Sequence, residues 1–99
     1  MRGRFVDVIE RQLEMFQDEH AGLIHDTEAA LQAYNSAPRE EAEERYGDFL
    51  DLVETGTEEL TDMRDAYAET LAPDSAEEYR ELFNRLVRRQ LPRFGLELD

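Results

Sequence analysis

A seven-residue hydrophobic repeat runs through two long stretches of this chain and constrains its fold more than any other feature. In residues 6–34, the two rows of the repeat are Ile9, Phe16, Leu23 and Ala30, and Val6, Leu13, His20, Thr27 and Tyr34. In residues 42–71, the rows are Tyr46, Val53, Leu60 and Tyr67, and Ala42, Phe49, Gly56 and Met63. Two rows spaced three and four residues apart form one continuous apolar stripe on a helix. The pattern therefore predicts two long helices that pack side by side in the manner of a coiled coil.

The breaks in the repeat divide the chain into helices of a single domain, residues 1–99. Asn35-Ser36-Ala37-Pro38 separates a first helix at about 4–34 from a second at about 38–72. A third helix is expected at about 75–90, where Ser75 and Glu78 have the spacing of a capping box. The apolar residues 91–99 are expected to dock, although an exposed docking peptide at 94–98 is an alternative. The predicted fold is all-α: a long antiparallel hairpin with a shorter third helix, assembling as a helical bundle.

The third helix is too short to cover the whole hairpin. At about 1.5 Å per residue it reaches only the midpoint, where the predicted register places Phe16 opposite Gly56 and His20 near Val53. Seven apolar residues nearer the turn are left without a covering helix: Leu23, Ile24, Leu31, Tyr34, Tyr46, Phe49 and Leu50. Since burying each such side chain stabilises a protein by roughly 1.5–3 kcal/mol, either the C-terminal segment or a second protein should cover them. A homodimer is the simplest solution, and these seven residues are its predicted interface.

Composition excludes several classes of partner. The chain has 25 acidic and 11 basic residues and a net charge of −14, which disfavours binding to nucleic acid and to anionic membranes. It has no cysteine, so disulfides and thiolate metal sites are excluded. Neither a signal-peptide pattern nor an apolar stretch of about 18 residues occurs, so we expect a cytoplasmic protein.

Histidine and the carboxylates provide the only candidates for metal chemistry. His20 lies in the apolar stripe, where it is either a structural residue or a ligand, and His25 lies in a polar row. Di-iron bundles require Glu-x-x-His, but Gln17 and Gly22 stand three residues before the two histidines. A ferritin-like metal-binding bundle is therefore the alternative function, and it would need ligands from two chains. We predict no cofactor.

Nothing in the sequence indicates an enzyme. The only serines, Ser36 and Ser75, stand at helix starts, and the five glycines form no phosphate-binding loop. The basic cluster near the C-terminus is expected to pair with carboxylates of this chain or of a partner; it consists of Arg85, Arg88, Arg89 and Arg93. We therefore predict a non-catalytic helical interaction or scaffold module that self-associates; a further protein partner is a second expectation.

Overall fold

The computed structural model describes residues 3–95 and 98, and these residues form four α-helices. Helix α1 spans Val6–Glu19, α2 spans Ala21–Asn35, α3 spans Ala42–Ala68 and α4 spans Pro73–Gln90. Short 3₁₀ turns, Arg39–Glu41 and Pro92–Phe94, precede α3 and follow α4. Because the described residues contain no β-strand, the predicted all-α class is confirmed. The molecule is elongated, 51 Å by 22 Å by 21 Å.

The first predicted helix, 4–34, is divided at His20. The φ and ψ angles of this residue, −117° and 31°, leave the helical region. Its N–H still donates to the Phe16 carbonyl at 2.9 Å, and its carbonyl accepts the Ile24 N–H at 3.0 Å. The break is therefore a kink between two helices rather than a loop. It separates α1, which packs mainly against α4, from α2, which packs along α3.

The starts of the later helices also differ from the prediction. Helix α4 begins at Pro73, whose missing N–H costs nothing in the first turn of a helix. Ala72 precedes it in an extended conformation, and its carbonyl accepts the Ala76 N–H at 2.8 Å. Ser75 consequently lies inside the first turn, and the predicted capping box with Glu78 does not form. The predicted second helix, 38–72, is observed as α3 with the 3₁₀ turn before it, and α3 ends four residues early.

The buried core occupies one half of the molecule. Its most buried apolar side chains come from α1, α3, α4 and the C-terminal segment: Ile9, Leu13, Phe16, Leu60, Tyr79, Phe83, Val87 and Phe94. In the described stretch 17–52, by contrast, Thr27 is the only buried residue. The other half, which we call the tip half, thus consists of α2, the turn and the beginning of α3 with almost no core of its own.

A buried arginine joins α3 to α4 at the end of the molecule that contains the core. Arg64 Nη1 donates to Asn84 Oδ1 at 2.9 Å, and Arg64 Nε donates to Asp65 Oδ1 at 2.9 Å. Arg80 Nε approaches the same Asp65 oxygen at 3.2 Å. The hydrogen bond from Arg64 is the main cause that lowers the pKa of Asp65 below its ordinary value of 3.8. The buried charge of Arg64 is therefore compensated within the fold, as a buried cation requires.

Candidate interaction surface

The C-terminal segment docks at the middle of α3 by inserting a phenylalanine ring against a glycine. The Phe94 side chain is only 2% exposed. A Cβ atom on Gly56 would lie 3.1 Å from Phe94 Cζ and closer still to Cδ1 and Cε1. On its other side the Phe94 ring meets Phe16 edge-to-face, with 6.0 Å between centroids, and the Thr57 hydroxyl donates to the Phe94 carbonyl at 3.1 Å. The predicted register placed Phe16 opposite Gly56, whereas in the structure the Phe94 ring packs against both residues.

Further contacts hold the rest of this segment against α4 and α2. Arg88 Nη2 donates to the Leu98 carbonyl at 2.8 Å, and the Leu98 side chain is buried. Arg93 Nε donates to Glu28 Oε1 at 2.9 Å. The placement of Phe94 and Leu98 does not fit an exposed docking peptide. The expected docking of Leu96, Glu97 and Asp99 lies outside the described residues.

The seven residues predicted as a partner interface lie on α2 and on the beginning of α3, and we call them the tip patch. Ile24 packs against the edge of the core. The rings of Tyr34 and Tyr46 have centroids 5.0 Å apart, and those of Tyr46 and Phe49 are 6.2 Å apart. Tyr46 is 43% exposed and Leu50 is 44% exposed, whereas the remaining members are half-buried. The structure therefore assembles an aromatic cluster near the turn and leaves much of its apolar surface in contact with solvent.

A groove continues from the tip patch along α3 toward the core. Its volume is about 510 Å³, and its lining residues on this helix are Leu50, Val53, Glu54, Thr57, Glu58, Thr61 and Asp62. The apolar floor at Leu50 and Val53 is bordered on one side by three carboxylates spaced four residues apart. None of these three, Glu54, Glu58 and Asp62, forms an ion pair within the described part of the chain. Like charges at this spacing repel, so the acidic border favours a basic neighbour.

Among the described residues, the basic cluster is only partly paired. Arg88 binds the Leu98 carbonyl and Arg93 binds Glu28, as described above. Arg85 and Arg89 are exposed on α4 and form no ion pair with any described residue. The predicted pairing with carboxylates of this chain is therefore seen for Arg93 but not for Arg85 or Arg89.

The histidines do not form the centre of a metal site in the described structure. His20 lies beside Glu59 of α3, with 3.8 Å between Nε2 and Oε2. Its ring also lies against Phe16, with 4.9 Å between centroids. His25 is exposed on α2. Across residues 3–95 and 98, no group of three or more histidine, cysteine or carboxylate side chains is arranged to hold a metal ion.

Comparison with protein-family models, with curated proteins and with solved structures finds no match to this chain. None of the described helices combines the length and the apolar character needed to cross a membrane.

The residues of the tip patch were predicted from the sequence, but the acidic border of the groove was not. The spacing of Glu54, Glu58 and Asp62 beside Leu50 and Val53 is the signal that could have revealed it.

Proposed function

We propose that this protein is a non-catalytic, cytoplasmic helical interaction module that self-associates through the tip patch. One observation carries the proposal: in residues 17–52 only Thr27 is buried. Helices in proteins are stabilised mainly by packing of an apolar face. In the described part of the chain, the C-terminal segment meets the tip half near Ile24 and Glu28, and the two helices nearer the turn lack a covering layer. A second copy of the tip half would supply that missing layer.

The expected assembly is a four-helix bundle formed by two tip halves. Two-fold dimers are the commonest oligomers, and two antiparallel helix pairs complete the bundle without a new element. Since Tyr46 and Leu50 still expose over two-fifths of their surface, burying the remainder would stabilise the dimer by about 1 kcal/mol for each. The acidic residues around the turn oppose this contact: Glu40, Glu41, Glu43, Glu44 and Asp48. Added salt should therefore strengthen the dimer by screening their repulsion.

Light scattering coupled to size-exclusion chromatography tests the proposal. At tens of micromolar protein, the expected mass is twice the chain mass of 11.6 kDa, at low and at high salt. Leu50→Glu should give a monomer that keeps its helical circular dichroism spectrum. Met15→Glu is the matched control, because Met15 is 52% exposed but lies on α1 outside the tip patch. A monomeric wild-type protein, or a dimer that tolerates Leu50→Glu as well as it tolerates Met15→Glu, would overturn the proposal.

A further inference from the structure

We infer that the part of the groove on α3 nearest the core, from Thr57 to Asp62, receives the C-terminal end of α4 of a second copy in a parallel two-fold dimer. In this arrangement Glu58 and Asp62 of one copy face Arg89 and Arg85 of the other. The inference rests on the proposed self-association and adds to it the orientation of the two copies and the ion pairs that set their register.

Contacts within one chain fix the position of α4 along the axis of α3; we call a residue's position along this axis its height. The rings of Tyr67 and Tyr79 have centroids 4.7 Å apart, and Arg64 binds Asn84 at 2.9 Å. The two helices therefore run in opposite directions, and moving toward the tip lowers the residue number on α3 while raising it on α4. Both helices rise about 1.5 Å per residue, so their relative register is kept along this length.

This register places two acidic and two basic side chains at matching heights. Asp62 lies level with Arg85, and Glu58 lies level with Arg89, each to within about one residue. All four side chains are exposed, and none forms an ion pair within the described part of the chain. Within one copy these carboxylates and guanidinium groups do not pair, so a second copy is needed to bring them together.

The tip patch selects the direction of the two-fold axis. An axis along the long dimension of the molecule keeps every residue at its own height, so tip meets tip and Asp62 meets Arg85 of the second copy. An axis across the long dimension that passes through the tip half would also join the two tip patches, but it would place the two α4 helices at opposite ends of the dimer. Only the first arrangement combines the proposed tip contact with the charge pairing.

The charges and the shape of the groove fit arginine side chains. Residues 82–95 contain four arginines and no acidic residue, although the chain as a whole has a net charge of −14. Arginine binds carboxylates through its planar guanidinium, and its methylene stem can lie beside Thr57 and Thr61, which line this part of the groove. The second copy therefore offers the positive charges that the acidic border of the groove lacks.

Two charge-reversal variants test the inference by sedimentation equilibrium in low salt. The first carries Glu58→Arg and Asp62→Arg, and the second carries Arg85→Glu and Arg89→Glu. Each variant alone should self-associate at least about tenfold more weakly, because like charges then meet at both contacts of the dimer. An equimolar mixture of the two should regain the affinity of the wild type, because the heterodimer pairs opposite charges at both contacts.

The sign of the change in affinity of the first variant distinguishes specific ion pairing from an effect of net charge. The first variant is less negative than the wild type, so a non-specific charge effect would strengthen its association. Glu14→Arg with Asp18→Arg is the matched control, because it makes the same reversal at the same spacing on the exposed face of α1. This control should associate at least as tightly as the wild type. Circular dichroism of every variant checks that the fold is kept.

The outcomes also separate this inference from the proposed function. A wild-type chain that stays monomeric would overturn both. A dimer that is lost with Leu50→Glu but tolerates both charge reversals would overturn the pairing of α3 with α4 alone. A mixture that associates no better than its components would do the same.

Discussion

Replacing Gly56 with alanine should destabilise this protein, although alanine is the better helix former. Gly56 lies in the interior of α3, where alanine is normally favoured over glycine by about 1 kcal/mol. The added Cβ, however, would overlap the Phe94 ring, which has atoms at and below 3.1 Å from its position. That ring is 2% exposed and packs against Phe16 on its other side, so it cannot retreat without losing contacts.

The size of the effect follows from two opposing terms. Overpacking a well-filled core costs about 1–3 kcal/mol, and losing a buried phenylalanine altogether costs about 3–5 kcal/mol. Because three ring atoms of Phe94 lie at or below 3.1 Å from the added Cβ, the upper part of the overpacking range applies; after about 1 kcal/mol of helix propensity is subtracted, Gly56→Ala should lower the free energy of unfolding by about 1–2 kcal/mol. Domains of this size have a total stability of about 5–15 kcal/mol, so the change is readily measured.

Urea unfolding at one fixed protein concentration, followed by circular dichroism, provides the assay. Gly47→Ala is the control, because Gly47 lies in the same helix and a Cβ there would meet no atom within 4 Å. This variant should raise stability by about 1 kcal/mol. In a Phe94→Ala background, Gly56→Ala should also become stabilising, because the obstructing ring is gone. If Gly56→Ala stabilises the unaltered protein as Gly47→Ala does, the seating of Phe94 on Gly56 is refuted.

Two further predictions concern pH. Burial raises the pKa of Tyr79 from 10.0 to about 12, and its hydroxyl donates to Gln12 Oε1 at 2.7 Å. The neutral phenol therefore contributes stability that is complete below pH 10 and is lost as the pH rises from about 10 to about 12. In thermal melts at successive pH values, Tyr79→Phe should flatten this part of the stability curve. A variant whose curve is unchanged would contradict the assignment. For Asp65 the sign is opposite: Arg64 lowers its pKa below 3.8, so the stability it contributes is present above that pH and is lost as the pH falls further. Urea titrations at successive pH values measure this loss of stability, and Asp65→Asn should remove it. If the variant loses stability with falling pH as steeply as the wild type, other carboxylates cause the loss.

The helical class and two of the helix breaks, at 35–38 and 71–75, could be predicted because they depend on residues close together in the chain. The seven-residue rows predicted helices through 6–34 and 42–71, and proline with small polar residues marked the breaks at 35–38 and 71–75. Local signals were less reliable at the ends of helices. Ser75 with Glu78 has the spacing of a capping box, but Pro73 starts α4 two residues earlier. Both starts satisfy local preferences, and packing of the whole helix chooses between them.

The tip patch could also be predicted from sequence, because the lengths of the helices already show that the third helix is too short. Its half-exposed residues on α2 and α3 fit that expectation, although the second copy remains a proposal. The acidic border of the groove was missed, since periodicity identifies apolar faces and says nothing about which charges find partners. That property depends on where α4 places its arginines relative to α3.

The amino-acid sequence by itself determined that this chain is helical, that its helices break near 35–38 and 71–75 and which of its faces are apolar, because each of these follows from patterns over a few turns. Only the tertiary structure decided that the first helix kinks at His20 and that Phe94 reaches across to Gly56. Both features depend on contacts between residues that are far apart in sequence. Helix α1 packs against α4 whereas α2 packs along α3, and the C-terminal segment returns to the middle of α3. Local patterns do not encode such distances, so the contact that completes the core appears only when the chain is folded.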